Sequence, residues 1–389
     1  MFVATRAHEA LSSKREAFRQ AAAESAQVLA RYEDAVDLLA RFSSSEIEER
    51  LGGVPWPGAR PTSELDERGL YVRFGEVWDS AQEARAWAMS RLRGVPTVGV
   101  DGSQVGASKE FSVPVSLVQV AWFENTHDPL RPYTKDVRNE ILSPEIGDVE
   151  QGSFAESELS RRRFELEIEV AVERIEALER GPATPLVLID GTFVLSFAGR
   201  MSPEVREVYL QAIFRLLAAS ERCRIPVIGF VDLSFASDLT GMLRSVFDLS
   251  DGSVFDAQVL AHSMAAFDRT AAFRCARGDV LPFYKRDERD FSGDLYFVYL
   301  QTGHDRLPAR VDFPRWVLEA GLLDHVLDVL RAEIVVGSGY PYPLETADAA
   351  AVLTSEDRMA FYRLFYEFAR ESGLSISLPA KSISKAHRR

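Results

Sequence analysis

Three apolar runs of this chain each carry an aspartate at or near their ends. TVGVDGSQ (97–104) contains Asp101, PLVLID (185–190) ends on Asp190, and IPVIGFVD (225–232) ends on Asp232. Ligands of open α/β sheets bind just outside the carboxyl ends of the strands. A carboxylate at such a position stands at the mouth of the sheet, where it can meet a metal ion. Glycine follows both Asp101 and Asp190; it lets the chain turn sharply and leaves room for a ligand. Asp-Gly is equally a common turn pair, so one such element says little. Two similar ones, VGVDGS and VLIDGT, say more.

Other chemistries find no support in the residues. There is no GxxxxGK[ST] loop for nucleotide phosphates, no GxGxxG opening a helix after a strand, and no GxSxG elbow. The six histidines (His8, His127, His262, His304, His325, His387) show no HExxH or paired metal spacing. Cys223 and Cys275 form no CxxC pair and read as two reduced thiols. The formal net charge of −14 argues against a protein that coats nucleic acid by bulk attraction. Local basic clusters remain at Arg161, Arg162 and Arg163, and in the tail at Lys381, Lys385, His387, Arg388 and Arg389. Each reads either as a contact surface or as solvated charge. No run of 18 uncharged apolar residues is present, and the charged N-terminal stretch lacks the apolar core of a signal peptide. A cytoplasmic protein that does not enter the membrane is expected.

The elements that must position the aspartates follow from periodicity. Residues 5 to about 50 read as a long helix or helical hairpin, with Leu29, Tyr32, Val36 and Leu39 at heptad spacing. That seam can pack on its own domain or on a second subunit. Glycines and prolines from Gly52 to Pro61 break regular structure, and 76–93 reads as a further helix. Strands are expected at 97–104 and 112–123, paired as a hairpin, and at 185–190, 225–232, 295–300 and 310–313. Helices are expected at 155–180, 203–220, 236–246, 253–266, 314–332 and 355–372. In the first of these, Phe164, Ile168, Val172 and Ile175 mark the apolar face. Strands first, then strand–helix–strand units, indicate an α/β domain with a mixed sheet covered by helices. The chain divides into an N-terminal helical arm and linker (1–94), a main domain (95–375) and a basic tail (376–389).

With these elements in place a resemblance becomes specific. GVDGSQ (99–104) and LIDGTF (188–193) resemble the two aspartate motifs of the NurA nuclease family. DRTAAF (268–273), ARVDFPRWV (309–317) and GYPYPLETADAAAVL (339–353) resemble its downstream elements in order and spacing. The resemblance implies an RNase-H-like (Piwi-related) fold and a Mn2+-dependent DNA exonuclease (5'–3') and endonuclease. It also implies a homodimer and partnership with the hexameric HerA ATPase in double-strand break end resection.

Carried over residue by residue, the resemblance assigns the metal site to Asp101 and Asp190 together with a glutamate of the preceding helix. Glu165, Glu169 and Glu173 are the candidates. Glu165 is favoured because it and Glu169 lie beside the Phe164–Ile168–Val172 stripe, whereas Glu167 is expected to point away into solvent. Asp348 stands where the family usually has histidine, and Mn2+ or Mg2+ accepts a carboxylate there. Tyr340 aligns with a tyrosine that the family places at its site; it reads either as a phosphate contact or as ordinary packing. Asp232 replaces a frequent lysine and reads either as a further ligand or as a helix cap. Asp256 is a weaker candidate for the site's edge. Arg161, Arg162 and Arg163 are candidate DNA contacts, or else partners of nearby glutamates. Two ions about 3.5–4 Å apart would serve in-line phosphodiester hydrolysis, with Asp101 expected to bridge them. The alternative is a catalytically weakened family member that threads DNA or regulates the ATPase ring.

Overall fold

The valine-rich run beginning at Thr97 folds as a strand in the computed structural model, and much of the site is built outward from it. The structure describes residues 2–107, 113–143, 156–178, 181–250, 252–286 and 289–374. The basic tail lies outside the described residues. Two compact units are interleaved along the chain. One comprises residues 1–77 and 230–315, the other 78–229 and 316–389.

The first unit begins with the helical arm, which is three helices: α1 (Ala4–Ser13), α2 (Arg15–Leu39) and α3 (Ser44–Leu51). α1 buries no residue, and α2 buries only Tyr32, Ala35, Val36 and Leu39. The heptad seam is therefore partly used within the unit, by packing of α2 on α8 (Asp238–Phe247) and α9 (Asp256–Leu260). Ser43 and Glu46 form a reciprocal capping box that starts α3. Around these helices lie α4 (Glu64–Arg68) and short antiparallel strands: β1 (Gly58–Pro61), β2 (Tyr71–Val72), β8 (Arg269–Thr270), β9 (Phe273–Ala276), β10 (Leu295–Leu300) and β11 (Ala309–Pro314). Their order is β1-β9-β10-β11, with β8 joining β2 to β10.

The second unit holds β3 (Thr97–Val105), β4 (Ser116–Asn125), β5 (Thr134–Leu142), β6 (Leu186–Asp190) and the start of β7 (Val227–Val231). β3 pairs antiparallel with β4, and β4 antiparallel with β5, while β3 runs parallel to β6. The spatial order β5-β4-β3-β6-β7 is 3-2-1-4-5 when counted from β3. This is the mixed sheet of the RNase-H-like fold, as expected. The 97–104 and 112–123 strands are found close to their expected bounds and form the hairpin. β5 was not foreseen: it is a sheet-edge strand whose residues are mostly exposed, so it lacks the apolar signal of a buried strand. The helices are α5 (Ala81–Leu92), α6 (Glu156–Ala177), α7 (Pro203–Cys223), α11 (Leu323–Val336), α12 (Tyr342–Ala351) and α13 (Ser355–Glu371). The expected 314–332 helix is two helices, the short α10 (Arg315–Glu319) and α11, separated at Gly321.

Successive residues of a strand face opposite sides of a sheet. Along β3, Gly99 and Ser103 face α12, whereas Gly102 and Gln104 face α6. A side chain at Gly99 would meet the backbone of Pro343 and Leu344 (2.8 Å from the Leu344 nitrogen). α12 therefore packs backbone to backbone on β3. Ser103 Oγ donates to the Ala351 carbonyl, and Gln119 Nε2 of β4 to the Ala350 and Ala351 carbonyls at 3.3 and 3.1 Å. These bonds fix the far end of the helix that carries Asp348. No helix of the described residues is long and apolar enough to cross a membrane.

Candidate metal centre

The last residue pairs between β3 and β6 is Val100–Ile189. Asp101 and Asp190 therefore come next, side by side, at the step where β6 ends and β3 continues. The glycines after them do different things. Gly191, at φ +132°, makes the turn. Gly102 lies inside β3 and makes no turn; a side chain there would strike the Glu167 carboxylate, with Glu167 Cγ at 3.0 Å and Arg163 Cγ at 3.1 Å. Its missing Cβ is what admits α6 to the sheet at this point.

Glu167, and not Glu165, is the α6 carboxylate nearest the aspartates. Its side chain is 15% exposed and pairs with Arg163 (3.4 Å). Burial pushes its carboxyl up to about 7, Arg163 opposes the rise, and repulsion from Asp101 and Asp190 adds to it. The expectation that Glu167 is solvated is corrected here. α6 buries two faces. Phe164 on one faces α7, its ring 5.0 Å from that of Tyr209. The other, with Arg163, Glu167 and Arg174 at near-helical spacing, faces the sheet, where Arg174 lies over Trp122 of β4. The stripe used to orient the glutamates belongs to the wrong face. The signal that finds Glu167 is its i,i+4 partner Arg163 together with Leu166, Val170 and Ala171, all buried beside it.

The other glutamates of α6 are held by arginines. Glu165 pairs with Arg161 at 3.5 Å and Arg162 at 3.9 Å. Glu169 pairs with Arg162 at 3.0 Å, and Glu173 with Arg138 of β5 at 2.5 Å. Arg162 also binds Glu140 of β5 in a fork, both contacts 2.6 Å. Of the candidate DNA contacts, Arg161 pairs with Glu158 and Glu165, Arg162 with β5 and α6 carboxylates, and Arg163 with Glu167 and the Gly102 carbonyl.

Asp348 reaches Asp101 from α12. Burial pushes the half-buried Asp101 carboxyl up to about 6; the Gly102 amide opposes this, while the charges of Asp190 and Asp348 and a hydrogen bond with Asp348 reinforce it. Asp190 and Asp348 are both exposed. Tyr340 is half-buried in the turn before α12, and its carbonyl packs against Gly337. Asp232 follows β7, in the residues that belong to the first unit. Asp256, also in the first unit, is fully buried. It accepts bonds from the amides of Asp238, Leu239 and Thr240 at 2.9, 3.0 and 2.9 Å and from Tyr299 Oη at 3.0 Å. It caps the start of α8 and edges no site.

The motif residues of the first unit are likewise structural. Asp268 accepts from the amides of Phe74 and Ala265 at 2.9 Å each. Arg269 forks onto Glu64, at 2.9 and 2.5 Å. Arg310 binds Asp312 at 2.7 Å and Asp238 at 2.6 Å, beneath the Phe297 ring.

Asp101, Glu167, Asp190 and Asp348 thus arrive from two strands and from helices on opposite faces of one sheet. Among the described residues no three His, Cys, Asp or Glu side chains already stand as an ion would require. The charges of Asp190 and Asp348 instead bear on the half-buried Asp101 carboxyl. Ligation requires side-chain rotation, which the exposure of Asp190 and Asp348 permits. In kind the donor set fits a hard divalent cation: all oxygen, four carboxylates, and two of them held above their ordinary pKa by burial and mutual repulsion.

Fold and cluster together define an RNase-H-like chain with carboxylates gathered where β6 ends beside β3. A family model, the NurA domain, matches residues 95–353, and the chain belongs to the NurA family. Among solved structures it is similar to the NurA nuclease from Sulfolobus solfataricus at 16% identity, with 72% of this chain and 85% of that one covered and a TM-score of 0.48. It is also similar to a NurA structure with manganese (9% identity, 78% and 95% covered, TM-score 0.43). The catalytic domain of human endonuclease V is a further structural neighbour (12% identity, 76% and 97% covered, TM-score 0.34). No curated protein matches the sequence.

Proposed function

We propose that this chain is a divalent-metal-dependent DNA nuclease whose ions are held by Asp101, Glu167, Asp190 and Asp348. The observation that carries the reading is the convergence of Glu167 and Asp348 on the Asp101–Asp190 step from opposite faces of the sheet. Bound ions, Mn2+ or Mg2+, would supply Lewis-acid stabilisation and a nucleophilic hydroxide at neutral pH. The chain's own part is to hold four oxygen donors on rigid elements. β3 and β6 place the aspartates, α6 holds Glu167 against Gly102, and α12 is pinned at both ends so that Asp348 faces Asp101. Asp348 in place of the family's usual histidine keeps the donor set entirely oxygen, which favours Mn2+ and Mg2+ over softer metals.

Family membership supports exonucleolytic (5'–3') and endonucleolytic action on DNA, homodimer formation, and work beside a HerA-type ATPase ring in end resection. The net charge of −14 favours DNA delivered into a confined channel over capture on a broad surface. A shallow salt dependence of DNA binding by the isolated chain is expected, and a steep one contradicts this. The test of the activity is degradation of linear DNA with Mn2+, with Mg2+ and with chelator, for the native chain and for Asp101→Asn and Asp190→Asn. Ion-dependent cleavage abolished by both variants is expected. Cleavage unchanged in either variant overturns the reading, as does no cleavage at any ion concentration.

A further inference from the structure

Arg163 is set directly against the carboxylate cluster. Its Nε lies 3.4 Å from Glu167 Oε1, and its Nη1 donates to the Gly102 carbonyl at 3.4 Å. Both contacts are long for a charge-assisted pair, ordinarily about 2.7–2.9 Å, and Nε, though buried, makes no hydrogen bond. Arg162, one residue earlier, shows the contrast: a fork onto Glu140 with both arms at 2.6 Å. Arg162 is locked by geometry, whereas Arg163 is held by charge. Its side chain is 40% exposed, against 15% for the glutamate it holds, so it can swing outward without unpacking α6.

We propose that Arg163 is a positioning residue that acts as an internal counter-ion. In the ion-free protein its guanidinium offsets the charge of the carboxylates and keeps Glu167 pressed on Gly102. Glu167 would be free to serve as a ligand of a divalent ion once the guanidinium swung outward. The inference rests on the reading of the cluster as a cation site. A fixed positive charge a few ångströms from a divalent ion opposes its binding. Arg163 therefore lowers the affinity of the site for the ion while keeping its ligands in place.

The experiment is calorimetric titration of MnCl2, without DNA, into the full chain and into Arg163→Gln, Arg163→Met, Arg163→Lys and Asp101→Asn. Melting curves run in parallel show that each variant is folded. Gln and Met keep the side-chain stem against Gly102 and remove the charge, so either serves if the other melts early. Both are expected to bind Mn2+ about tenfold more tightly than the native chain, and Lys within about twofold of it. Native binding with equal or weaker binding by the Gln and Met variants overturns the counter-ion role alone. No binding by the native chain, or undiminished binding by Asp101→Asn, overturns the cation site and the counter-ion with it.

Discussion

At the scale of single residues, Glu165 and Glu167 separate two accounts of α6. Glu165 is tied to Arg161 and Arg162, whereas Glu167 faces Gly102 beside Asp101 and Asp190. Glu167→Gln is expected to lower ion-dependent cleavage by about two orders of magnitude or more, and Glu165→Gln by less than about threefold. Steady-state cleavage of a labelled duplex reads both. The raised carboxyls of Asp101 and Glu167, at about 6 and about 7, also make stability depend on pH. The folded protein holds these protons more tightly than the unfolded chain does. The stabilisation is therefore complete below about pH 4 and is lost as pH rises through 6 and 7. The ion-free melting temperature is expected to fall over that range more steeply for the native chain than for a variant carrying Asp101→Asn and Glu167→Gln. Saturating Mn2+ should remove the difference between low and neutral pH, since ligands must shed protons to bind. Asp101 and Asp190 were legible in the sequence because an aspartate after an apolar run is a local signal, although β3 continues past Asp101 to Val105. Glu167 was not, because α6 buries one face on the sheet and another on α7, and a single helical stripe does not say which face meets which neighbour.

At the scale of elements, α12 is the piece on which the fourth carboxylate depends. No helix was expected over 342–351, since its prolines at Pro341 and Pro343 belong to a helix start that also looks like a break. The structure shows why Gly99 precedes the first aspartate: it lets the backbone at Pro343 and Leu344 lie on β3. Gly99→Ala is expected to destabilise the protein by about 1–3 kcal/mol and to weaken Mn2+ binding by displacing Asp348. Urea denaturation and metal titration check the two parts. In the first unit the motif residues hold elements together. Arg310 joins β11 to α8 through Asp312 and Asp238. Arg310→Ala removes the cation held between the buried Asp238 and Asp312 carboxylates and is expected to cost about 3–5 kcal/mol, with Mn2+ affinity in the folded fraction unchanged. β5 escaped the sequence reading for a physical reason: an edge strand dressed in Lys135, Asp136, Arg138 and Glu140 resembles a loop in composition, and such charges are what keep an exposed edge from pairing.

At the scale of the whole molecule, the chain crosses between its two units three times, a feature that a linear walk through composition has no means to display. The motifs in sequence order are accordingly divided in place: the two aspartate motifs and the C-terminal element supply the carboxylate cluster, while DRTAAF and ARVDF build buried ion pairs. We propose that the arm serves assembly. α1 and the first part of α2 bury nothing within the described chain and expose Leu11 and Phe18, with Phe2 exposed just before them. Removing residues 2–27 is expected to leave the melting transition and Mn2+ affinity in place while shifting the molar mass measured by light scattering toward the monomer. A truncated chain that no longer binds Mn2+ contradicts that division of labour. The most direct test of the account is where, in the entire molecule, manganese settles. In anomalous diffraction from crystals grown with MnCl2, the account predicts peaks within ligating distance of Asp101, Glu167, Asp190 and Asp348. Peaks confined to Glu165, Glu169 and Glu173, or none at the end of β6, would contradict it.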